Sequence, residues 1–403
     1  MPGPSKRGFE IDASPIRSLL PYAREAIRQG VRVYHLNIGQ PDLETPEPAR
    51  KLLQNLEEPI VRYGPSEGFP SLRKAVAKYY ARFETNVSSE DVFVTTGASE
   101  AILFTLLSCC NQGDELIIPE PFYANYIGYA DVSDVKIVPI TTSLENGFQL
   151  PSPEKFEEKI NSKTKAIFLC NPGNPTGQLY EKEQLESLLR IVKKHNLFLI
   201  VDEVYREFCY DSSFTSVLSF SGMEEHVIVI DSISKVFSAC GARVGFLITK
   251  NKSVQEAVNK YAQLRLCPPY YGQNLALACY EDPIPYISKA KEKYQSRRKV
   301  LFDGLSNIDG VECYLPAAAF YNIVELPVPD AEAFCKWLLT DFRYQNETVM
   351  LAPANGFYFN KEYGKSQVRI AYILNEDDLR KAIHCLDLGL AEFKKEVLSV
   401  ASR

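Results

Sequence analysis

The sequence lacks an apolar run of about 20 residues, the length that a membrane-spanning helix needs. It also lacks an excess of positive charge, because 45 lysine and arginine residues face 51 aspartate and glutamate residues, and the formal net charge is -6. Nucleic-acid-binding domains usually carry a basic surface, so this balance disfavours that class of partner. The first residues have no hydrophobic core of the kind that marks secretion. These absences predict a soluble protein that acts without a membrane or a nucleic acid.

Cysteine and histidine are present, but neither follows a metal-binding or disulfide pattern. The ten cysteines are scattered, with Cys109 and Cys110 adjacent and no repeated Cys-x-x-Cys spacing. The four histidines lie far apart, at His35, His195, His226 and His384. Disulfide frameworks and structural zinc sites both show regular spacings of their ligands. We therefore expect reduced thiols, no metal site and a cytoplasmic location.

The sequence does contain a series of short, continuous apolar segments rich in β-branched residues. Continuous rather than alternating apolar character is typical of strands that are buried on both faces of a parallel sheet. Amphipathic helical patterns separate these segments. The predicted fold class is therefore α/β, with a mostly parallel seven-stranded sheet flanked by helices. The predicted strands are residues 92–95, 115–118, 136–138, 166–169, 197–201, 227–230 and 244–248.

The pattern changes after residue 283. A charged segment at 288–299 has the spacing of a long helix. Shorter apolar runs follow at 311–314, 320–324 and 368–372, with helical stretches at 330–342 and 376–396. A chain of 403 residues is long enough for two or three domains. The C-terminal part therefore predicts a second, smaller α+β domain.

The most informative segment is 231–235, which follows the predicted strand 227–230 and ends in Lys235. An amine that loses its hydration at a buried strand end favours its neutral form, which is a usable nucleophile. Ser232 and Arg243, the latter set between glycines, offer a hydroxyl and a planar guanidinium that suit a phosphate. An amine for an aldehyde beside donors for a phosphate is what pyridoxal 5'-phosphate requires. Taken alone, the segment fits an ordinary surface lysine equally well.

Other predicted strands end in residues that suit the same cofactor, and in such sheets ligands bind beyond the carboxyl ends of the strands. Small residues at 97–99 open a helix, where backbone N–H groups can approach an anion. Tyr123 could stack on a flat ring, Asn174 could donate to a phenolate oxygen, and Asp202 could keep a pyridinium nitrogen protonated. Each fragment has a plainer interpretation, as a helix start, a core aromatic or a turn. Their coincidence at the strand ends of one sheet favours the cofactor site.

With these motifs, the chain resembles the class I/II aminotransferases, the fold-type I pyridoxal-phosphate enzymes typified by aspartate aminotransferase. The resemblance runs nearly end to end, from residues 36–42 to residues 368–372. It implies a large cofactor-binding domain at 48–285. It also implies a small domain, formed by 1–47 and 286–403, that closes over the substrate. A homodimer with two-fold symmetry is the implied assembly.

The resemblance also implies a role for each site residue. Lys235 would carry the cofactor as an aldimine, Asp202 would pair with its pyridine nitrogen, and Tyr123 would stack on its ring. Arg369 would bind the substrate α-carboxylate opposite the Gly39 backbone, although the residues alone fit an interdomain salt bridge equally well. The remaining assignments are Tyr205 and Asn174 for the 3'-oxygen, with Asn174 also facing the substrate; Gly97, Ala98, Ser99, Ser232 and Arg243 for the phosphate; and Tyr63 for the phosphate in the neighbouring subunit's site.

The implied reaction is ping-pong transamination between an L-amino acid and a 2-oxo acid, in amino-acid metabolism or biosynthesis. Aspartate with 2-oxoglutarate is the expected pair, since Arg265 could meet a distal carboxylate. Arg265 could equally contact a phosphate or a neighbouring carboxylate, and Arg17 is a second candidate. Glu100 stands where some aspartate-specific relatives have a lysine. The side-chain preference therefore stays open.

Three alternatives belong to the same fold. One is an aminotransferase that prefers alanine or an aromatic amino acid. Another is a different reaction of the cofactor, such as β-elimination from a cysteine conjugate or formation of a cyclopropane ring, because one cofactor site serves several reactions. The third is a non-catalytic ligand-binding module of a regulator, which needs an attached DNA-binding domain. The aminotransferase pattern begins almost at residue 1, which disfavours that module.

Overall fold

A computed structural model describes residues 2–11, 14–54 and 59–401. In chain order its strands are β1 (Arg32–His35), β2 (Val92–Thr95), β3 (Glu115–Glu120), β4 (Lys136–Thr141), β5 (Thr164–Cys170), β6 (Phe198–Asp202), β7 (Val227–Ser232), β8 (Gly245–Ile248), β9 (Tyr321–Glu325), β10 (Glu347–Met350), β11 (Ala352–Pro353) and β12 (Gln367–Ala371). Its α-helices are α1 (Lys6–Glu10), α2 (Leu20–Arg28), α3 (Glu47–Gln54), α4 (Pro70–Tyr80), α5 (Gly97–Cys109), α6 (Asn125–Val132), α7 (Pro153–Glu157), α8 (Lys182–Lys194), α9 (Ile233–Val236), α10 (Lys252–Arg265), α11 (Tyr270–Cys279), α12 (Pro283–Leu305), α13 (Ala331–Thr340) and α14 (Glu376–Ala401). Within the described ranges, none of these helices combines the length and the apolar character that crossing a membrane requires.

Seven strands form one large sheet in the order β2-β8-β7-β6-β5-β3-β4. Strands β3 to β7 run parallel to one another, whereas β8 is antiparallel to both β2 and β7. The seven predicted strands and the mostly parallel α/β fold are therefore confirmed. An apolar run carries no information about strand direction, so the sequence does not predict the reversal of β8.

The strands of the large sheet are apolar along their length because each one separates two hydrophobic cores. In β7, Val229 packs in one core, while Ile228 and Ile230 pack in the other. Successive side chains of a strand point to opposite faces, so both faces of the sheet are covered. Burying one such side chain contributes about 1.5–3 kcal/mol. With both faces closed, the strand ends are where polar side chains can meet a ligand.

The N-terminal and C-terminal parts of the chain build a third core around two small sheets. One small sheet pairs β1 with β10 in parallel, and the other has the antiparallel order β11-β12-β9. Helix α12 runs between cores, since Ile287 packs in a core of the large sheet and Leu301 packs in the third core. The predicted run 311–314 forms no strand, and Glu312 makes only an isolated bridge with Glu325. The boundaries at 47/48 and 285/286 fall within α3 and α12, and the division into two domains stays a prediction.

Candidate active site

A cavity of about 600 Å³ opens where the carboxyl ends of the parallel strands meet the small sheets. Asp202 comes from the end of β6 and Ser232 from the end of β7, whereas Arg369 comes from β12 of a small sheet. The expected site residues that line the cavity are Gly39, Ala98, Ser99, Tyr123, Asn174, Asp202, Tyr205, Ser232, Lys235, Arg243 and Arg369. The fold therefore brings residues from both ends of the chain to one place.

Lys235 lies on α9, the short helix that follows β7. The Ser232 hydroxyl precedes this helix and accepts from the Ser234 N–H at 3.3 Å, which fixes the turn from strand to helix. The Lys235 Nζ donates to the Gly39 carbonyl at 2.7 Å, and the side chain is half-buried. An ammonium group has three donors, so this bond holds the amine at the cavity and leaves two donors for a ligand.

Asp202 is a buried carboxyl at the end of β6. Its Oδ2 accepts from the Tyr126 phenol at 2.9 Å, and its Oδ1 accepts from the Val204 N–H at 3.2 Å. Burial raises the pKa of Asp202 to about 6, although these two hydrogen bonds act to lower it. Tyr126, on α6, is missing from the expected residues, because nothing in its local pattern separates it from a core aromatic. A cation beside Asp202 would favour its charged form.

Arg243 and two glycines form a compact corner of the site. Arg243 has a left-handed backbone with φ 54° and donates to the Cys240 carbonyl at 3.0 Å. A Cβ on Gly97 would lie 2.3 Å from Arg243 Nη2, and a Cβ on Gly245 would lie 2.5 Å from the Ala98 nitrogen. Glycine at 97 therefore lets the guanidinium approach the first turn of α5, and glycine at 245 lets β8 pack against the same turn. That turn favours an anion through its free N–H groups and its dipole.

Arg369 is a buried cation held by neutral groups. Its Nη1 donates to Asn174 Oδ1 at 3.1 Å, and its Nη2 donates to the Asn37 carbonyl. The guanidinium carbon lies 4.7 Å from the centre of the Tyr321 ring and 4.8 Å from that of Phe357. Burial lowers its pKa, its Nε has no hydrogen-bond partner, and no carboxylate among the described residues pairs with it. A salt bridge between domains is therefore absent from this part of the structure, and the group suits an anionic ligand.

Tyr205 and Tyr321 form a pair of phenols at the cavity. Their oxygens lie 2.9 Å apart. Burial raises the pKa of Tyr205 well above its usual value, so this phenol stays neutral and can donate. Tyr321 begins β9 and lines the cavity, although its sequence pattern does not mark it as a site residue. It sits in an apolar run, where any core aromatic would give the same signal.

Three expected site residues do not line this cavity: Gly97, which lies against Arg243, and two that lie further away, Tyr63 and Arg265. Tyr63 is 79% exposed and does not line the cavity of its own chain. Arg265 donates to Glu100 at 2.5 Å and to the Ser66 carbonyl at 2.9 Å, so in its own chain it contacts a neighbouring carboxylate rather than the cavity. Glu100 also accepts from the Thr96 N–H at 2.8 Å. Through this second hydrogen bond, Glu100 also stabilises the N-terminal end of α5.

The sequence model of the family "Aminotransferase class I and II" matches residues 31–386. The chain belongs to this family. An aspartate aminotransferase of Pyrococcus horikoshii is 30% identical over 96% of this chain and 97% of its own. A solved alanine aminotransferase from Pyrococcus furiosus has a TM-score of 0.89 and 31% identity, covering 97% of this chain and 100% of its own. An aspartate aminotransferase from Thermus thermophilus, solved with maleate, has a TM-score of 0.86 and 28% identity, covering 96% and 100%.

This aminotransferase is a pyridoxal 5'-phosphate-dependent enzyme of fold type I, and its cavity residues fit that cofactor. Gly97 and Gly245 have no room for a side chain beside the first turn of α5, where the backbone N–H groups and Arg243 suit a phosphate. Asp202 is a buried carboxyl that a pyridinium nitrogen would stabilise. The Asn174 amide oxygen is occupied by Arg369, so its amide N–H groups are left for an oxygen of a ligand.

Proposed function

We propose that this aminotransferase transfers the amino group of an L-amino acid to a 2-oxo acid by a ping-pong mechanism at Lys235. The observation that carries the proposal is that an amine, a carboxyl and a guanidinium line one cavity, on Lys235, Asp202 and Arg369. Transamination needs a group that binds the cofactor and moves a proton, a group that keeps the ring protonated and a group that binds the substrate carboxylate. Both half-reactions use these groups, because amino acid and 2-oxo acid carry the same carboxylate.

When bound, the cofactor supplies an aldehyde carbon and a ring that withdraws electrons from the substrate. Lys235 Nζ binds that carbon in the resting enzyme. When it is not bound to the cofactor, Nζ would be the group at the cavity that takes and returns the proton of the substrate Cα. The Gly39 carbonyl, 2.7 Å from Nζ, keeps the released amine at the cavity. Asp202 would keep the ring nitrogen protonated, and pairing with that N–H would favour the charged carboxylate that burial alone disfavours.

The remaining residues bind and orient. Arg369 binds the α-carboxylate, and its hydrogen bonds to Asn174 and Asn37 fix the guanidinium before the substrate arrives. Ser232 and Arg243 bind the phosphate together with the first turn of α5. Tyr123 packs on the cofactor ring, and Asn174 and Tyr205 donate to its 3'-oxygen. With the cofactor and the α-carboxylate held by these contacts, the C–H bond at the substrate Cα would be within reach of Lys235.

The test of the Lys235 assignment is chemical trapping. Protein loaded with pyridoxal 5'-phosphate should absorb at the border of the visible and near-ultraviolet ranges, lose that band with borohydride, and yield a labelled Lys235 peptide. Lys235→Ala should still bind the cofactor but lose roughly 10²–10⁴-fold or more in turnover, because its proton transfer is gone. Lys250→Ala is the matched control, since Lys250 follows the antiparallel strand β8 at the opposite edge of the sheet. Label on any other lysine would contradict the assignment.

Product analysis separates transamination from elimination. With an amino donor and no acceptor, the loaded enzyme should release one equivalent of 2-oxo acid and stop, as a ping-pong half-reaction requires. Adding a second 2-oxo acid should restart turnover. Pyruvate with free ammonia from a cysteine conjugate, without amino-group transfer, would favour the lyase alternative instead.

We further propose a dicarboxylic amino donor, with aspartate and 2-oxoglutarate as the substrate pair. Arg17 lines the same cavity as Arg369, and within the described ranges its guanidinium makes no ion pair. The Ile16 carbonyl accepts from Asn37 Nδ2 at 3.2 Å, which ties this segment to the residue that accepts from Arg369. The cavity's charged lining residues are Arg17, Lys235, Arg243 and Arg369 against Asp202. An excess of positive charge supports a substrate with a second carboxylate. The Thermus thermophilus relative was solved with maleate, which is a dicarboxylate.

Arg17→Met should lower kcat/KM for aspartate by roughly 10- to 100-fold and leave that for alanine nearly unchanged, since only aspartate has a distal carboxylate. Arg265→Met is the comparison variant, because Arg265 is held by Glu100 in its own chain. If the wild type prefers alanine or phenylalanine, the dicarboxylate proposal fails. If aspartate is preferred and only Arg265→Met changes the ratio of kcat/KM for aspartate to that for alanine, the residue that binds the distal carboxylate is Arg265, acting in a partner's cavity.

We also infer that the functional unit is a homodimer in which Tyr63 reaches the partner's cavity. Ile60, Val61 and Tyr63 are 58%, 46% and 79% exposed, and Leu264, at the end of α10, is 82% exposed. The bond between Arg265 and the Ser66 carbonyl brings these two segments together, and each of them carries exposed apolar side chains. Exposed apolar side chains on neighbouring segments are typical of an interface.

Mixing two impaired variants tests this arrangement. A dimer of Tyr63→Phe with Lys235→Ala contains one site with both residues intact if Tyr63 acts on the partner. Activity should therefore return on mixing. If Tyr63 acts within its own chain, each site keeps one defect and nothing returns. A fully active monomer in sedimentation at micromolar concentration would also contradict the dimer.

A further inference from the structure

The Tyr321 phenol lies where a small sheet meets the large sheet at the cavity. Its oxygen is 2.9 Å from the Tyr205 oxygen and 3.5 Å from the Gly39 carbonyl oxygen. Tyr205 follows β6 of the large sheet, whereas Tyr321 begins β9 of a small sheet. The hydrogen bond between the two phenols therefore crosses from one part of the fold to the other.

The Tyr321 side chain is held from several sides. It is 2% exposed, and a Cβ on Gly39 would lie 1.8 Å from its phenol oxygen, so the oxygen lies directly against that glycine. The Tyr205 ring meets the Tyr321 ring edge-on, at 5.4 Å between ring centres and 88° between planes. The Arg369 guanidinium covers the Tyr321 ring at 4.7 Å. The phenol oxygen therefore stays beside Tyr205.

Either phenol can donate in this contact, so its direction depends on the other acceptors that each phenol has. Each phenol has one proton, so Tyr205 donates either to Tyr321 or to a group in the cavity. The other acceptor near Tyr321 is the Gly39 carbonyl, which is at the long limit of 3.5 Å and already accepts from Lys235 at 2.7 Å. The shorter contact is preferred, so once a ligand in the cavity takes the Tyr205 proton, Tyr321 is the donor between the two phenols.

We propose that Tyr321 is a positioning residue for the cofactor: by donating to Tyr205, it directs the Tyr205 proton towards the cofactor's 3'-oxygen and strengthens that hydrogen bond. Hydrogen bonds in a chain polarise one another, by about 10–30% per bond, so a phenol that accepts becomes a stronger donor. This inference rests on the proposed function, since it requires the cofactor at Lys235.

The donor strength of Tyr205 controls a property that is measured without turnover. When the link between Lys235 and the cofactor loses its proton, negative charge is left on the 3'-oxygen. A donor to that oxygen stabilises the deprotonated state, and so lowers the pKa of the link. The two protonation states absorb at different wavelengths, and an absorbance titration of the loaded enzyme therefore reports this pKa.

Tyr321→Phe removes the phenol oxygen and keeps the ring against Arg369. The titration midpoint of the loaded variant should move upward by roughly 0.3–0.7 unit, and that of Tyr205→Phe should move further. In a Tyr205→Phe background, Tyr321→Phe should add nothing, because the two phenols act in series. KM for the amino donor should stay within about twofold, since the carboxylate contacts of Arg369 are kept.

Tyr372→Phe is the matched control, because Tyr372 is a buried phenol that donates to the Ala319 carbonyl at 3.0 Å and does not line the cavity. It should lower thermal stability as Tyr321→Phe does, yet leave the midpoint unchanged. The proposal is overturned if Tyr321→Phe leaves the midpoint in place or lowers it, or if its shift persists without the Tyr205 phenol. Absence of any Lys235-dependent band would instead refute the proposed function.

Discussion

Two arginines of this enzyme are equally buried and differ in what surrounds them. Arg206 is 1% exposed and pairs with Asp231, which is itself 0% exposed. Arg369 is also 1% exposed, but its hydrogen bonds go to an amide oxygen and a backbone carbonyl. Burying a cation without an anion costs several kcal/mol. Arg206 therefore serves the fold, whereas Arg369 carries a penalty that an anionic substrate can offset.

Arg206, the arginine with a charged partner, also stabilises the site, although it does not line the cavity. Asp231 Oδ1 accepts from the Ser232 N–H at 2.7 Å. The Arg206 guanidinium carbon lies 4.9 Å from the centre of the Tyr79 ring and 5.3 Å from that of Tyr80. The pair therefore fixes the end of β7 just before Lys235. Burial alone does not distinguish a binding arginine from a structural one. The two differ in whether a buried partner carries a compensating charge.

Within this comparison of arginines, the largest expected effect is that of Arg369→Met on activity. We expect kcat/KM to fall by roughly 10²–10⁴-fold, because the substrate carboxylate loses its charged partner. The free energy of unfolding should change by less than about 1 kcal/mol, since the variant removes an unpaired buried charge together with two hydrogen bonds. Steady-state kinetics and urea unfolding of the cofactor-free protein measure the two. A large loss of stability with unchanged kinetics would place Arg369 with Arg206 as a structural residue.

Arg206→Met should show the opposite pattern. It leaves Asp231 buried without its cation, which costs about 3–5 kcal/mol of unfolding free energy. Replacing both residues, as Arg206→Met with Asp231→Leu, should recover most of that loss, because no buried charge remains. Turnover per folded molecule should fall far less than in Arg369→Met. If the single variant unfolds like the wild type, the comparison between the two arginines fails.

The sequence predicts the strands and the strand-end residues of this site better than it predicts the residues that hold them in place. The seven strands and the residues at their ends are predictable, because apolar runs and the polar residues that follow them are local signals. Tyr126, Tyr321 and Arg206 are not, since each acts through a contact with a residue far along the chain. Arg265 illustrates the same limit, because its partner, Glu100, is 165 positions away. The catalytic roles of the residues in the cavity remain predictions.

Glu203 is a buried acid that mirrors Arg369, because its hydrogen-bond donors are the neutral groups of Ser216 and Val217. Burial raises the pKa of Glu203 to about 8 from 4.5. The folded state therefore binds this proton more tightly than the unfolded state. Its contribution to stability is present below the unfolded-state pKa and is lost as pH rises from 4.5 to about 8, by up to roughly 1.4 kcal/mol per pH unit.

Glu203→Gln should remove that component, since an amide does not titrate. Urea unfolding across this pH range should give a flatter dependence for the variant than for the wild type. Glu183→Gln, at an exposed acid of α8, is the control and should keep the wild-type slope. Equal slopes in all three proteins would mean that Glu203 is charged throughout, and the neutral surroundings would then be tolerating a full charge.

The smallest expected effect concerns Arg265 and Glu100, whose side chains are 15% and 17% exposed. Water reaches this pair and screens it, so its coupling should be about 1 kcal/mol, well below that of Arg206 with Asp231. A double-mutant cycle of Arg265→Met and Glu100→Gln, followed by urea unfolding, isolates the coupling. Gln at position 100 can still accept from the Thr96 N–H, so the start of α5 is kept. A coupling as large as that between Arg206 and Asp231 would contradict the expectation that the more buried pair has the larger coupling energy. The geometry of each pair, rather than its access to water, would then decide which arginines of this enzyme stabilise the fold.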